Sequence, residues 1–240
     1  MIYTNKLLGI LKKRNLHSSI ITEKDDCSNF DVIISIGGDG TFLKAAKLSA
    51  INKTPIVGIN LGVLGFLTKI NKDNIEHYID RIVNNDYKLQ KRSMLTIDVV
   101  RDKHVLFSGN ALNDVVVARS VISRGIRINS YIDNILLNNY LADGIIISTP
   151  TGSTAYSFSA GGPIVDTLAN VIILTPICPH SSCARSYVTT DEKNIKITLD
   201  LKLNQKGVVT VDGNENYYIC KDDVVLIKKS SLFCNMIDFF

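Results

Sequence analysis

Hydrophobic residues along this 240-residue chain change their period once, near residues 84–88, and that change constrains the fold more than any other feature. Before it, helical and strand patterns alternate. Leu7, Leu8 and Leu11 share one face of a helix predicted to end near Asn15, and a short strand is predicted over 18–22. Residues 31–36 read DVIISI, a β-branched run of the kind buried on both faces of a parallel sheet. It runs directly into Gly37-Gly38-Asp39-Gly40-Thr41, after which residues 42–50 resume helical spacing. A second strand is predicted over 55–60, then a glycine-broken loop over 61–68. A helix over 71–84 follows, with Ile75, Tyr78, Ile79, Ile82 and Val83 on one stripe. This succession predicts a Rossmann-like α/β half whose ligand lies at the carboxyl ends of parallel strands.

Beyond the change the period is two. Strands are predicted over 95–100, 105–108, 114–118, 126–132, 145–148, 171–174, 195–203, 208–211 and 224–228, separated by Asn, Asp and Gly turns. The fold class is therefore an α/β N-terminal domain over 1–86, carrying the glycine loop, followed by an all-β, sandwich-like domain over 87–240. With 45% hydrophobic and 21% charged residues, disorder is excluded. No apolar run approaches the ~20 residues a membrane helix needs, and Lys6, Lys12, Lys13 and Arg14 interrupt any signal-peptide pattern, which predicts a cytoplasmic protein with no membrane partner. The 27 basic and 23 acidic side chains form no stripe, so no nucleic-acid partner is expected. Five cysteines (27, 178, 183, 220, 234) without a CxxC pair read as buried free thiols in a reducing compartment.

Four segments carry chemistry. In Gly37–Thr41, glycines after a buried strand admit a ligand to the backbone, and the helix they open offers unpaired N–H groups and a favourable dipole to an anion. Asp39 is out of place in a plain phosphate cradle. It reads either as a proton acceptor or metal holder, or as nothing more than a helix N-cap. Residues 60–67, NLGVLGFL, read as a hydrophobic turn without an assigned role. Asn113-Asp114 pairs an amide with a carboxylate, suited to a ribose diol and equally to a turn. Residues 143–163 end a strand in a dense run of hydroxyls and glycines, with Tyr156 available to stack on a base. Burying that run needs a polar ligand or mutual pairing; the alternative is a flexible surface loop.

Taken together, GGDGT at 37–41, NLGVLGFL at 60–67, ND at 113–114, DGIIISTPTGSTAYSFSAGGPIV at 143–165 and PICPHS at 176–181 resemble the NAD kinase family over roughly residues 30–228. GGDGT alone is shared with diacylglycerol and sphingosine kinases, whereas STPTGSTAY is specific. The resemblance implies transfer of the ATP γ-phosphoryl group to the adenosine-ribose 2′-hydroxyl of NAD, giving NADP, with Mg²⁺ or another divalent cation on the triphosphate. It also implies a dinucleotide bound between an α/β and an all-β domain, in a homodimer or homotetramer. By position it makes Asp39 the general base, with Gly37, Gly38, Gly40 and Thr41 around it and Lys44 near phosphate. Asn113 and Asp114 match an Asn-Glu pair on the dinucleotide, the Asp being one methylene shorter. Arg124 matches a basic position near the ligand, and Asp143 an acidic residue that meets the nicotinamide end, often from a neighbouring subunit. Thr154, Ala155, Tyr156 and Ser159 match the adenine pocket. Asn214 lies near a family contact and also reads as a β-turn residue. No metal-ligand set is expected from the protein. Family members usually begin with a strand before the first helix and carry a longer C-terminal extension, so the phosphate-donor side is the less certain half. A lipid kinase and a non-catalytic NAD(P)-binding module are the competing readings.

Overall fold

In the computed structural model, which describes residues 2–22, 24–62, 65–120, 125–181, 184–202 and 205–239, the chain divides into two units: residues 1–91 with 233–240, and residues 92–232. Unit 1 is built on a small sheet with helices. Strand β1 (Ile33–Gly37) pairs in parallel with β2 (Ile56–Asn60), from Ile33 opposite Ile56 to Gly37 opposite Asn60. The short β3 (Ile70–Asn71) pairs in parallel with the other end of β2, and Met236 of the final strand joins opposite Ile56. All five residues of β2 are buried, as befits a central strand covered on both faces. Helix α1 (Ile2–Lys13) buries Leu7 and Ile10, α2 (Asp39–Asn52) buries Phe42, Leu43 and Ala46, and α3 (Ile75–Val83) buries Ile75 and Ile79.

Unit 2 is a sandwich of largely antiparallel strands. Its elements in chain order are β4 (Lys88–Arg101, entering from unit 1), β5 (His104–Ala111), β6 (Asp114–Arg119), β7 (Ile126–Ile132), β8 (Ile135–Ala142), β9 (Gly144–Ser148), the four-residue helix α4 (Tyr156–Ser159), β10 (Val171–Ile177), β11 (Tyr187–Thr190), β12 (Ile195–Asp200), β13 (Gly207–Val211), β14 (Glu215–Ile219) and β15 (Val224–Asp238). One sheet runs β11-β10-β9-β6-β13-β14. On the other, β12 lies between β7 and β15, and β7 carries β8 as its outer neighbour. Val115, Val117, Ile145 and Ile147 from the first sheet share one core with Ile126, Ile128, Ile195 and Ile197 from the second. This is the two-faced burial that period-two patterning specifies.

Several expectations change. Residues 18–22 form no strand: Ile20 is 72% exposed, so the segment has no apolar face to anchor a pairing. The helix expected over 71–84 starts as a 3₁₀ turn, Lys72–Asn74, and its Val83 is exposed rather than on the inner stripe. Strands β8, β11 and β14 escape the pattern because their faces are half solvent and their runs carry Asn, Glu or paired Thr. The strand expected to stop at 228 continues to Asp238, and its last residues belong to unit 1, where Cys234, Met236 and Ile237 are buried. The thiols are also less uniform than expected: Cys27 and Cys234 are buried, Cys178 is exposed and Cys220 is half-buried, while Cys183 lies outside the described residues.

Candidate active site

The residues with chemical potential fall into two groups, one in each unit. In unit 1, β1 ends at Gly37, Gly38 caps α2 with its backbone, and Asp39 is the first helical residue. Asp39 is therefore not the N-cap, and its side chain makes no capping bond to its own helix. Its carboxylate instead collects donors from the NLGVLGFL segment and the threonine after it. Oδ2 accepts from the Phe66 N–H at 2.9 Å, and Oδ1 accepts from the N–H groups of Leu67 and Thr68 at 3.3 Å each and from the Thr68 hydroxyl at 3.2 Å. Gly65 makes this approach possible, since a Cβ there would collide with the Asp39 carboxylate. The loop without an assigned role thus has one: it grips the candidate base. Thr41 and Lys44, exposed on the first turns of α2, line a cavity of about 820 Å³ within unit 1. Its walls are mostly apolar, and Ser35 adds a hydroxyl that is buried without a hydrogen-bond partner among the described residues.

In unit 2 the Asn113-Asp114 turn and the hydroxyl-rich segment are stitched together. Asn113 O accepts from the Thr149 N–H at 2.9 Å, the Thr149 hydroxyl donates to Leu112 O at 2.6 Å, and the Gly152 N–H donates to that hydroxyl at 3.1 Å. Gly152 must lack a side chain because a Cβ would run into the Asn113 carbonyl. From the other side Asp212 accepts three backbone N–H groups, those of Leu112, Asn113 and Asp114, at 2.8, 2.8 and 3.1 Å. This staple orients the turn while leaving the Asn113 Oδ1 buried with no partner among the described residues. Asp114 is 5% exposed, and its carboxyl is pushed up to about 7, first by burial and then by the neighbouring Asp212 charge.

The hydroxyl run sorts into two sets. Ser148, Thr149, Thr151, Ser153 and Ser157 are buried and pair with protein: Ser157 with the Thr175 hydroxyl at 2.9 Å, and Ser153 with Val165 O at 3.3 Å. Mutual pairing thus accounts for the inward half, and the run is no flexible linker. Tyr156 and Ser159 are exposed, while Thr154 and Ala155 are half-buried beside them.

Two expected site residues stand apart. Asp143 precedes β9 and Thr149 follows it, so the two lie roughly 20 Å apart along an extended strand. Asp143 is paired there with Arg119 at 3.0 Å. Asn214 is exposed and closes the turn joining β13 to β14, its amide donating to Asp212 O at 2.7 Å. In that segment the residue reaching the Asn113 turn is Asp212, whose position in an Asp-Gly turn concealed it. Arg124 lies outside the described residues. Among the described residues no three His, Cys, Asp or Glu side chains come together to hold a metal ion, and no helix is long and apolar enough to cross a membrane.

Family models for the ATP-NAD kinase N-terminal domain and C-terminal domain match residues 6–87 and 112–239. The NAD kinase of Acetivibrio thermocellus is 42% identical over 219 residues, covering 91% of this chain and 76% of that protein. Among solved structures, an NAD kinase from Archaeoglobus fulgidus in complex with ATP superposes with a TM-score of 0.82 at 27% identity, covering 98% of this chain and 89% of that one. Yeast NADH kinase complexed with NADH superposes with a TM-score of 0.80 at 27% identity over 88% of this chain, which spans 62% of the yeast chain. With both domain models matched and this identity to a curated relative, the chain belongs to the ATP-NAD kinase family, the phosphotransferases that make NADP from NAD with ATP.

Proposed function

We propose that this chain transfers the γ-phosphoryl group of ATP to the 2′-hydroxyl on the adenosine ribose of NAD. The observation that carries this reading is the Asn113-Asp114 turn. It is stapled by Asp212, packed against Gly152 and left with a buried, unpartnered amide oxygen, which makes it a preformed acceptor for a polar ligand. A dinucleotide supplies matching donors. Its adenine exposes a face to Tyr156 beside Thr154, Ala155 and Ser159, and a ribose diol meets Asn113 and Asp114.

Asp39 orients the 2′-hydroxyl and accepts its proton as the new P–O bond forms and the bond between the γ-phosphorus and the ADP oxygen breaks. Mg²⁺, held by the triphosphate of ATP, would supply charge neutralisation on the transferring phosphoryl group. The amide groups opening α2 at Gly38 and Gly40 face the phosphates, with the Thr41 hydroxyl beside them and Lys44 adding a positive charge one turn on. Gly37 sets the chain's entry to that turn, since a Cβ there would lie 2.6 Å from the Thr41 hydroxyl. Asp143, at the far end of β9 from Thr149, serves a dinucleotide held by a second copy, and the working form is a homodimer or homotetramer in the cytoplasm.

A coupled assay tests the reading. NADP is expected to form from NAD and ATP in the presence of Mg²⁺ and to stop on its chelation. No NADP formation by a folded, NAD-binding protein would leave a non-catalytic binder, and phosphorylation of diacylglycerol instead of NAD would make it a lipid kinase.

A further inference from the structure

The four donors on Asp39 are not shared equally between its oxygens. Among the described residues Oδ1 receives three, from Leu67 N–H, Thr68 N–H and the Thr68 hydroxyl, whereas Oδ2 receives one, from Phe66 N–H. A carboxylate oxygen offers about two lone-pair sites. Oδ1 is therefore filled, and Oδ2 keeps one site open.

The direction of the Thr68 hydroxyl follows from its other neighbour. Asn60 Oδ1 accepts from the Gly62 N–H at 2.7 Å, which fixes the amide so that Nδ2 points to the Thr68 oxygen at 2.8 Å. The amide can only donate and the carboxylate can only accept, so the single hydroxyl proton goes to Asp39. Both relay residues are buried, Asn60 at 4% and Thr68 at 0% exposure. The Thr68 methyl is also seated closely: a Cβ at Gly58 would lie 2.7 Å from it. The hydroxyl is thus held in one rotamer by shape and in one polarity by Asn60.

From this we infer that Thr68 is a positioning residue for the base, and that the chain Asn60–Thr68–Asp39 holds Oδ1 so that Oδ2 takes the ribose proton. The inference rests on Asp39 acting as the base.

Thr68→Val keeps the side-chain shape and removes the donor. Its kcat is expected to fall about tenfold, the scale of a lost hydrogen bond to a charged group. KM for NAD and ATP should stay near wild type, while the melting temperature should fall modestly because the buried Asn60 amide loses the Thr68 oxygen as acceptor. Thr68→Ser, which restores the hydroxyl, should recover kcat to within about twofold of wild type. In an Asp39→Asn background Thr68→Val should cost nothing further, because its effect passes through the carboxylate. An undiminished kcat in Thr68→Val, or an equal loss in the Asp39→Asn background, overturns the inference while leaving the kinase reading intact. Absence of NADP formation by the wild type removes the kinase reading itself. Should Thr68→Val fail to fold, Asn60→Asp takes its place. It preserves shape but draws the hydroxyl proton away from Asp39, and it should show the same kcat loss with unchanged KM, whereas a wild-type kcat overturns the inference.

Discussion

Asp39 and Asp114 are both carboxylates at the edge of a glycine- or asparagine-marked turn, yet the two units treat them in opposite ways. Unit 1 surrounds Asp39 with four hydrogen-bond donors and leaves it half-buried on the first turn of a helix. Unit 2 buries Asp114 beside a second carboxylate, Asp212, which takes three backbone N–H groups, that of Asp114 among them, and whose charge repels it. A carboxylate oriented by donors is built to hold a direction, as a proton acceptor must. One held near neutrality by burial is built to exchange its environment for a ligand. Under the proposed function, the same residue type does chemistry in one unit and recognition in the other.

The most severe way to test this contrast is to remove the charge in unit 1. Asp39→Asn is expected to lower turnover at least about 100-fold, the lower bound for a lost general base, with NAD affinity changed only a few-fold. Turnover near wild type would reduce Asp39 to an anchor for residues 66–68. A matched pair of glycine substitutions sharpens the contrast at the next scale. Gly65→Ala pushes a methyl into the Asp39 carboxylate and Gly152→Ala pushes one into the Asn113 carbonyl. The first should lower kcat by about 10- to 100-fold with little change in KM, as expected for a displaced reacting group. The second should raise KM for NAD and lower the melting temperature, because backbone cannot retreat as a side chain can. If both variants lose kcat and KM alike, the two turns do not have separate tasks. A smaller effect belongs to the exposed side of the hydroxyl segment. Tyr156→Ala should weaken NAD about tenfold, the scale of one lost base-stacking contact, and ATP much less. Equal weakening of both would make the segment a scaffold and not an adenine site.

Much of this was legible in the chain, and the exceptions have physical causes. DVIISI running into GGDGT and the clean alternation at Ile195, Ile197 and Leu199 are local patterns, and each appears as an element, although the strand expected over 195–203 ends at Asp200 and residue 203 lies outside the described residues. The grip on Asp39 was not legible, because its donors are mostly backbone N–H groups, which every residue carries, and they lie 27 to 29 positions away. Thr68 and Asn60 are ordinary residues until the fold puts one between the other and the carboxylate. Asp212 was hidden by its setting. Asp-Gly is the standard signal for a two-residue hairpin turn, and both residues do adopt positive φ, at 49° and 67°, yet the carboxylate also reaches back 98 to 100 positions. The inner hydroxyls of residues 148–157 read equally as ligand groups or as mutually paired, because sequence cannot tell which side chains find partners inside the protein.

The finest test of the comparison is a pH profile of NAD binding, because burial and then the Asp212 charge push the Asp114 carboxyl up to about 7. In the free protein its raised value means that its contribution to stability is fully present below the ordinary carboxylate range and is lost as pH climbs through about 7. A ribose diol donates hydrogen bonds and so prefers the ionised carboxylate. Binding at pH 6 must first remove a proton from Asp114, and binding at pH 8 need not. Affinity for NAD, measured by calorimetry, should therefore tighten about five- to tenfold between pH 6 and pH 8, one pKa unit corresponding to a factor of ten. Asp114→Asn should bind with the profile flattened. A wild-type affinity unchanged over that range would mean that binding does not depend on the Asp114 proton and that recognition is left to Asn113, whereas an affinity that weakens by a similar factor would mean that Asp114 keeps its proton in the complex and donates it to the ribose.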